Sequence, residues 1–120
     1  MIVENKILPQ NISDLYKDLI DSSYQKISTK EKKIIWQSLI ISFNGHDGQM
    51  RKSGEPYIHH PIQVAKIVAK DIGLDYISIA AAILHDTVED TDVSLQYLNQ
   101  SVGAEISKIV DGLTKISTLK

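Results

Sequence analysis

Residues 76–90, YISIAAAILHDTVED, restrict the fold more than any other stretch of this chain. From Ile77 to Leu84 the segment is apolar nearly all round, and a helix without a polar face must be covered on every side by other elements. Asp75 can cap its start, where a short carboxylate accepts a hydrogen bond from an orphaned backbone N–H. The far end then turns polar abruptly, with His85, Asp86, Glu89 and Asp90 placing four ionisable groups within six positions. A chain built around such a segment needs an envelope of further helices and a solution for the charged cluster.

The envelope is legible. Apolar residues recur three and four apart almost throughout, and no alternating apolar and polar run of useful length is present, so the fold class is all-α. A first helix is expected from Ser13 to about Lys26, with Leu15, Leu19 and Ile20 on one side. Ser28 followed by Glu31 reads as a capping box opening a second helix through Ile34, Ile35, Leu39 and Phe43, which should stop near Gly45. Between His46 and His60, glycines and prolines replace the helical period, which marks a structured loop. Pro61 suits the first position of a third helix, running through Val64, Ala65 and Val68 to a cap at Gly73. The fourth helix is the segment 76–90. Ser94 can open a short helix ending at Gly103, and another runs from Ala104 to about Leu113. With 120 residues there is room for one globular unit, divided here into an N-terminal helix within residues 1–28 and a main body over 29–120.

Charge and composition exclude several partners. The net charge is −2 and no basic run exceeds Lys32-Lys33, so nucleic acid is not an expected partner. No apolar stretch reaches the roughly 18 residues of a membrane span, and the start MIVENKILPQ lacks the layout of a secretion signal, so a cytoplasmic protein without membrane attachment is expected. With no cysteine in the sequence, disulfides and thiolate ligands are excluded, and any metal must be held by nitrogen and oxygen donors.

The cluster after Leu84 is where chemistry is expected. Burying an unpaired carboxylate costs several kcal/mol, so such groups are solvated, paired or bound to a cation. Imidazole together with carboxylate suits Mn²⁺, Fe²⁺, Zn²⁺ or Mg²⁺, and the lack of thiolates favours the harder six-coordinate ions, with Mn²⁺ first. The plainer alternative is that Glu89, Asp90 and Asp92 form an ordinary solvated helix end. His60 lies at a helix mouth beside an irregular loop, where side chains can converge on a metal; the adjacent His59 is the decoy, and by itself either could be a surface residue. Arg51 offers a flat guanidinium for stacking and phosphate pairing, and Lys52 a mobile point charge, although both also fit a solvated loop pair.

Taken together, HDGQMRKSGEPYIHHPIQVA (46–65), AAILHDTVEDT (81–91) and IVDGLTKIS (109–117) closely resemble the hydrolase domain of the RelA/SpoT family, an HD-type phosphohydrolase that degrades the alarmone (p)ppGpp. The resemblance implies an HD-domain-like helical bundle over 29–120. It also implies a metal site at His60, His85 and Asp86 holding Mn²⁺, with other divalent ions as alternatives. By the same token Glu89 and Asp90 would activate the attacking water, Arg51 and Lys52 would approach the base and phosphates of a guanine nucleotide, and Ser53 would edge that pocket. The implied reaction is release of pyrophosphate from the 3′ position of (p)ppGpp, leaving GDP or GTP.

One departure qualifies that expectation. The family carries a fourth metal-ligand aspartate, with a nucleotide-contacting asparagine, on a helix after the segment matching IVDGLTKIS, and this sequence reads as truncated before it. Asp111 falls inside the preceding motif and is not its substitute. Three readings follow: a hydrolase half-site completed by another polypeptide or by a second copy, a non-catalytic guanine-nucleotide-binding module, and a degenerate fragment.

Overall fold

A computed structural model describes residues 8–118, and residues 1–7 of the N-terminal segment lie outside the described part. In chain order the helices are α1 (Gln10–Ser22), α2 (Thr29–Gly45), α3 (His59–Lys66), α4 (Tyr76–Leu84), α5 (Thr87–Asp90), α6 (Leu95–Val102) and α7 (Ala104–Thr118). No strand occurs among the described residues beyond one isolated bridge between Met50 and Pro56.

Helix α4 is the centre. It packs against α2, α3 and α7, and its side chains divide between two apolar clusters. Ile79, Ala82 and Ile83 join Ile35, Leu39, Ile40, Ile62 and Ala65 in one cluster. Ala80, Ala81 and Leu84 join Ile41, Leu98, Val102, Ile106 and Val110 in the other. The small alanines let neighbouring helices approach closely, while Ile79, Ile83 and Leu84 fill the space between them with no exposed surface. Replacing Ile83 by alanine would leave a cavity facing α2 and α3, and should lower unfolding stability by about 2–5 kcal/mol. Denaturant unfolding at constant m-value checks this, since a change in m would signal an altered denatured state instead.

Local sequence explains the helix starts. At α2, Ser28 Oγ accepts from the Glu31 N–H at 3.2 Å while Glu31 Oε1 accepts from the Ser28 N–H at 3.0 Å, so the box satisfies two orphan donors reciprocally. Asp75 Oδ1 accepts from Ser78 N–H at the start of α4, and Ser94 Oγ from Tyr97 N–H at the start of α6. Helix α3 continues as a π-helical stretch, Ile67–Ile72, that ends on Gly73 at φ +80°. A β-carbon there would also meet the Tyr24 ring at 3.2 Å, so both backbone and space favour glycine.

Several boundaries differ from the sequence reading. Helix α1 begins at Gln10, directly after Pro9, and ends at Ser22 rather than near Lys26. Helix α3 opens at His59, so Pro61 is its third residue. That position is also among the first four, whose N–H groups have no partner within the helix, so proline fits it equally well. Helix α7 runs through Gly112 to Thr118 instead of stopping near Leu113. The most consequential difference is that the expected helix 76–90 is broken. It stops at Leu84, Asp86 takes φ −96° and ψ −5°, and the single turn α5 follows. The imidazole Nδ1 of His85 donates to the Ala82 carbonyl at 2.6 Å, competing with the helix's own ladder at the point where the chain turns.

Candidate metal centre and adjoining pocket

Two segments deliver the donors. The break after α4 carries His85 and Asp86, and the first turn of α3 carries His60, whose N–H bonds back to the Tyr57 carbonyl at 3.0 Å. One donor atom from each of His60, His85 and Asp86 can be chosen so that all lie within 4.8 Å of one another. The His60 and His85 rings meet edge to face, with centroids 5.8 Å apart. Among the described residues this is the one such group of His, Asp or Glu.

The chemistry of the donors fits a cation. Because a carbonyl can only accept, the His85 Nδ1 facing Ala82 carries a hydrogen, and in the neutral ring Nε2 then carries a lone pair. That Nε2 lies 3.0 Å from Asp86 Oδ2, and the two side chains are only 24% and 26% exposed. A lone pair facing a carboxylate oxygen is repulsive, so either a proton or a metal ion must stand between them. In the metal-free protein protonation of His85 supplies that role, and the contact favours the protonated form. The Asp86 contact raises the His85 pKa against the opposing effect of burial, and the same contact lowers the Asp86 carboxyl to about 2. His60 behaves oppositely: burial, reinforced by the nearby Arg51 charge, lowers its pKa and keeps the ring neutral, the form in which imidazole binds a metal.

The loop before α3 folds into a tight hairpin. Arg51 N–H donates to the Glu55 carbonyl and Gly54 N–H to the Arg51 carbonyl, both at 2.9 Å, and Gly54 holds φ +90°. This is a three-residue hairpin loop with glycine at its positive-φ position, and it presents Arg51, Lys52 and Ser53 outward. All three line an open cavity of about 850 Å³, together with Glu55, Tyr57, His59, His60 and Gln63. His60 therefore belongs both to the donor group and to the cavity wall. His59, the decoy of the pair, also lines the cavity but is not in the donor group.

Glu89 and Asp90 are exposed on α5, one turn beyond Asp86, and are not members of the donor group. Asp90 is close enough to raise the pKa values of Tyr57 and His85 through its charge. On α7, Asp111 pairs with Lys115 at 3.2 Å and stands outside the group as well. His46 caps the C-terminus of α2 through its backbone, and its buried ring packs on Tyr57. Sequence reasoning missed Tyr57, whose hydroxyl donates to Asp86 Oδ2 at 2.6 Å. Its position three residues before His60, at the entry to a helix, was the available signal.

Comparison with known proteins bears on the family. The HD domain family model matches residues 39–120. The chain is 38% identical over 106 residues to a guanosine-3′,5′-bis(diphosphate) 3′-pyrophosphohydrolase of Vibrio cholerae, covering 88% of this chain and 15% of that protein. It is 40% identical over 106 residues to the bifunctional (p)ppGpp synthase/hydrolase SpoT of Escherichia coli, covering 85% and 15%. Against a putative chloroplastic GTP diphosphokinase of Arabidopsis thaliana the figures are 42% over 110 residues, 90% and 12%. The chain thus spans a small fraction of the length of these relatives. An HD domain implies a divalent metal, and the His and Asp donors provide a site of the right composition. No helix among the described residues is long and apolar enough to cross a membrane. With a helical bundle of this architecture and a match over two-thirds of its length, the chain belongs to the HD domain family, among its RelA/SpoT-type members.

Proposed function

We propose that this domain hydrolyses the 3′-pyrophosphate of (p)ppGpp, yielding GDP or GTP and pyrophosphate, with Mn²⁺ as the ion held by His60, His85 and Asp86. The observation that carries the reading is that His60 is shared between the donor group and a cavity walled by Arg51, Lys52 and Ser53. Phosphate-binding cations thus lie next to the place where a hydrolytic ion would sit. The relatives' names supply the substrate class.

A divalent ion, when bound, supplies Lewis-acid polarisation of a phosphoryl oxygen and makes water more acidic. The chain's own residues do the rest. Arg51 stacks on the purine or pairs with phosphate oxygens, Lys52 adds a mobile positive charge, and Ser53 offers a hydroxyl at the pocket edge. Glu89 and Asp90 orient the attacking water and take its proton, as carboxylates positioned near a reacting group do. Water oxygen bonds to the phosphorus attached at O3′, the O3′–P bond breaks, and O3′ leaves with a proton. Among the described residues no fourth His, Asp or Glu joins the group, and a further imidazole or carboxylate donor would come from outside them, from another polypeptide or from a second copy.

Incubating the protein with Mn²⁺ and ppGpp and separating the products by anion exchange tests the reading. GDP and pyrophosphate in equal amounts are expected, and an intact nucleotide with bound Mn²⁺ would leave a binding module in place of an enzyme.

The metal-free site also predicts a pH dependence. Since the folded His85 pKa lies above its ordinary value, the His85–Asp86 contact stabilises the fold below about pH 6.5 and is lost as pH rises through the raised pKa. Asp86 contributes in the opposite direction: its share is present above the usual carboxylate range and lost as pH falls towards about 2. Mn²⁺ must displace the proton that the raised pKa favours on His85, whereas the lowered pKa of His60 leaves less to displace there. Affinity should therefore rise about tenfold per pH unit below the His85 pKa and level off above it. Calorimetric titration in buffers of differing ionisation enthalpy counts the protons released, and a count that does not fall as pH rises through the neutral range would contradict this picture.

A further inference from the structure

Tyr57 stands between the hairpin and the metal donors and has no role in the assignments above. Its hydroxyl donates to Asp86 Oδ2 at 2.6 Å, and its ring lies against His46 on one side, centroids 4.5 Å apart, and meets His60 edge-on at 5.8 Å. The ring is held from behind. His46 is buried at 3% exposure, and its Nδ1 lies 3.0 Å from Gln49 Oε1. Gln49 in turn accepts the Tyr57 N–H on its backbone carbonyl at 2.9 Å, and donates its side-chain amide to the Asp90 carbonyl at 3.2 Å. The phenol is thus clamped to α2, to its own loop and to α5 before it touches the donors.

That clamping has a direct consequence for Asp86. A free carboxylate rotates, but one oxygen fixed by a short O–H donor leaves the group in a single orientation. We propose that Tyr57 is a positioning residue of the metal centre, setting the Asp86 carboxylate through its hydroxyl and the His60 ring through its edge. The inference rests on the metal reading above. Partners that orient metal ligands in this way are typically worth about 10–100-fold in metal affinity or activity.

Titrating the metal-free chain with Mn²⁺ and with Co²⁺, as wild type, Tyr57→Phe and Tyr16→Phe, tests it. Tyr57→Phe keeps the ring and its packing, so the metal-free variant should still melt cooperatively, its midpoint lowered only by the loss of one hydrogen bond, while its Kd for either ion should rise about 10–100-fold. The visible absorption of bound Co²⁺, which reports ligand geometry, should shift in band position or intensity. Tyr16→Phe, whose hydroxyl bonds the Lys32 carbonyl far from the donors, should change neither. Equal affinity and an identical Co²⁺ spectrum in wild type and Tyr57→Phe would overturn the role of Tyr57 alone. Wild type failing to take up any divalent ion would overturn the metal reading and this inference with it.

Discussion

On the proposed reading, replacing His85 by alanine should reduce ppGpp hydrolysis by about 1000-fold or more while leaving the protein folded. The imidazole supplies Nε2 to the donor group and, through Nδ1 and the Ala82 carbonyl, holds the turn that aims Asp86. In the proposed site its loss would remove one ligand and free the neighbouring one. A divalent ion stabilises developing phosphoryl charge by several kcal/mol, and each 1.4 kcal/mol is about tenfold in rate, which gives the expected scale. The fold should tolerate the change, because His85 sits at the rim beyond the fully buried Leu84. Product formation measured with saturating Mn²⁺ checks it, alongside circular dichroism to verify helix content. Retention of more than a tenth of wild-type activity would remove His85 from the metal centre.

The second large effect concerns the cavity. Arg51→Ala should raise the Kd for ppGpp about 10–100-fold with little change in the Mn²⁺ affinity. A charge-assisted hydrogen bond contributes roughly 1.5–3 kcal/mol, and a guanidinium on the cavity wall would, in the proposed pocket, make more than one to a nucleotide bearing two pyrophosphates. The hairpin backbone that presents it depends on Gly54 and on main-chain hydrogen bonds, not on the arginine side chain, so the loop should survive. One coupling is expected: the Arg51 charge helps depress the His60 pKa, so the variant's His60 should titrate closer to its ordinary range. Fluorescent-nucleotide titration at fixed salt is the measurement, and an unchanged Kd would dissociate the hairpin from nucleotide recognition.

How much of this was legible in the sequence depends on the kind of interaction. Helix starts were readable because caps are local: Ser28 with Glu31, Asp75 and Ser94 each bond to a backbone N–H three residues away. The central helix was readable because Ile77 to Leu84 offers no polar face, and the structure wraps it on all sides. The break after Leu84 was not, since Val88 four residues on keeps the helical spacing and no glycine or proline marks a stop, while the hydrogen bond from His85 to Ala82 competes with the helix there. The hairpin at 51–55 escaped for a related reason. With a single bridged pair it has no alternating pattern, and only Gly54 marks it. The donors His60, His85 and Asp86 came to notice through motif and chemistry. Tyr57 did not, because its significance lies in a contact to a residue 29 positions away that no local pattern encodes.

The sharing of α4 between two apolar clusters bears on how the domain opens. Neither cluster can separate from the other without exposing Ile83 on one side or Leu84 on the other, so small partial openings around this helix are disfavoured. Its amides from Ala80 to Leu84 should accordingly exchange with deuterium only when the whole bundle comes apart. An ion seated one residue further along would slow that exchange in step with its own affinity, which makes the most protected amides in the protein an internal gauge of occupancy at the rim.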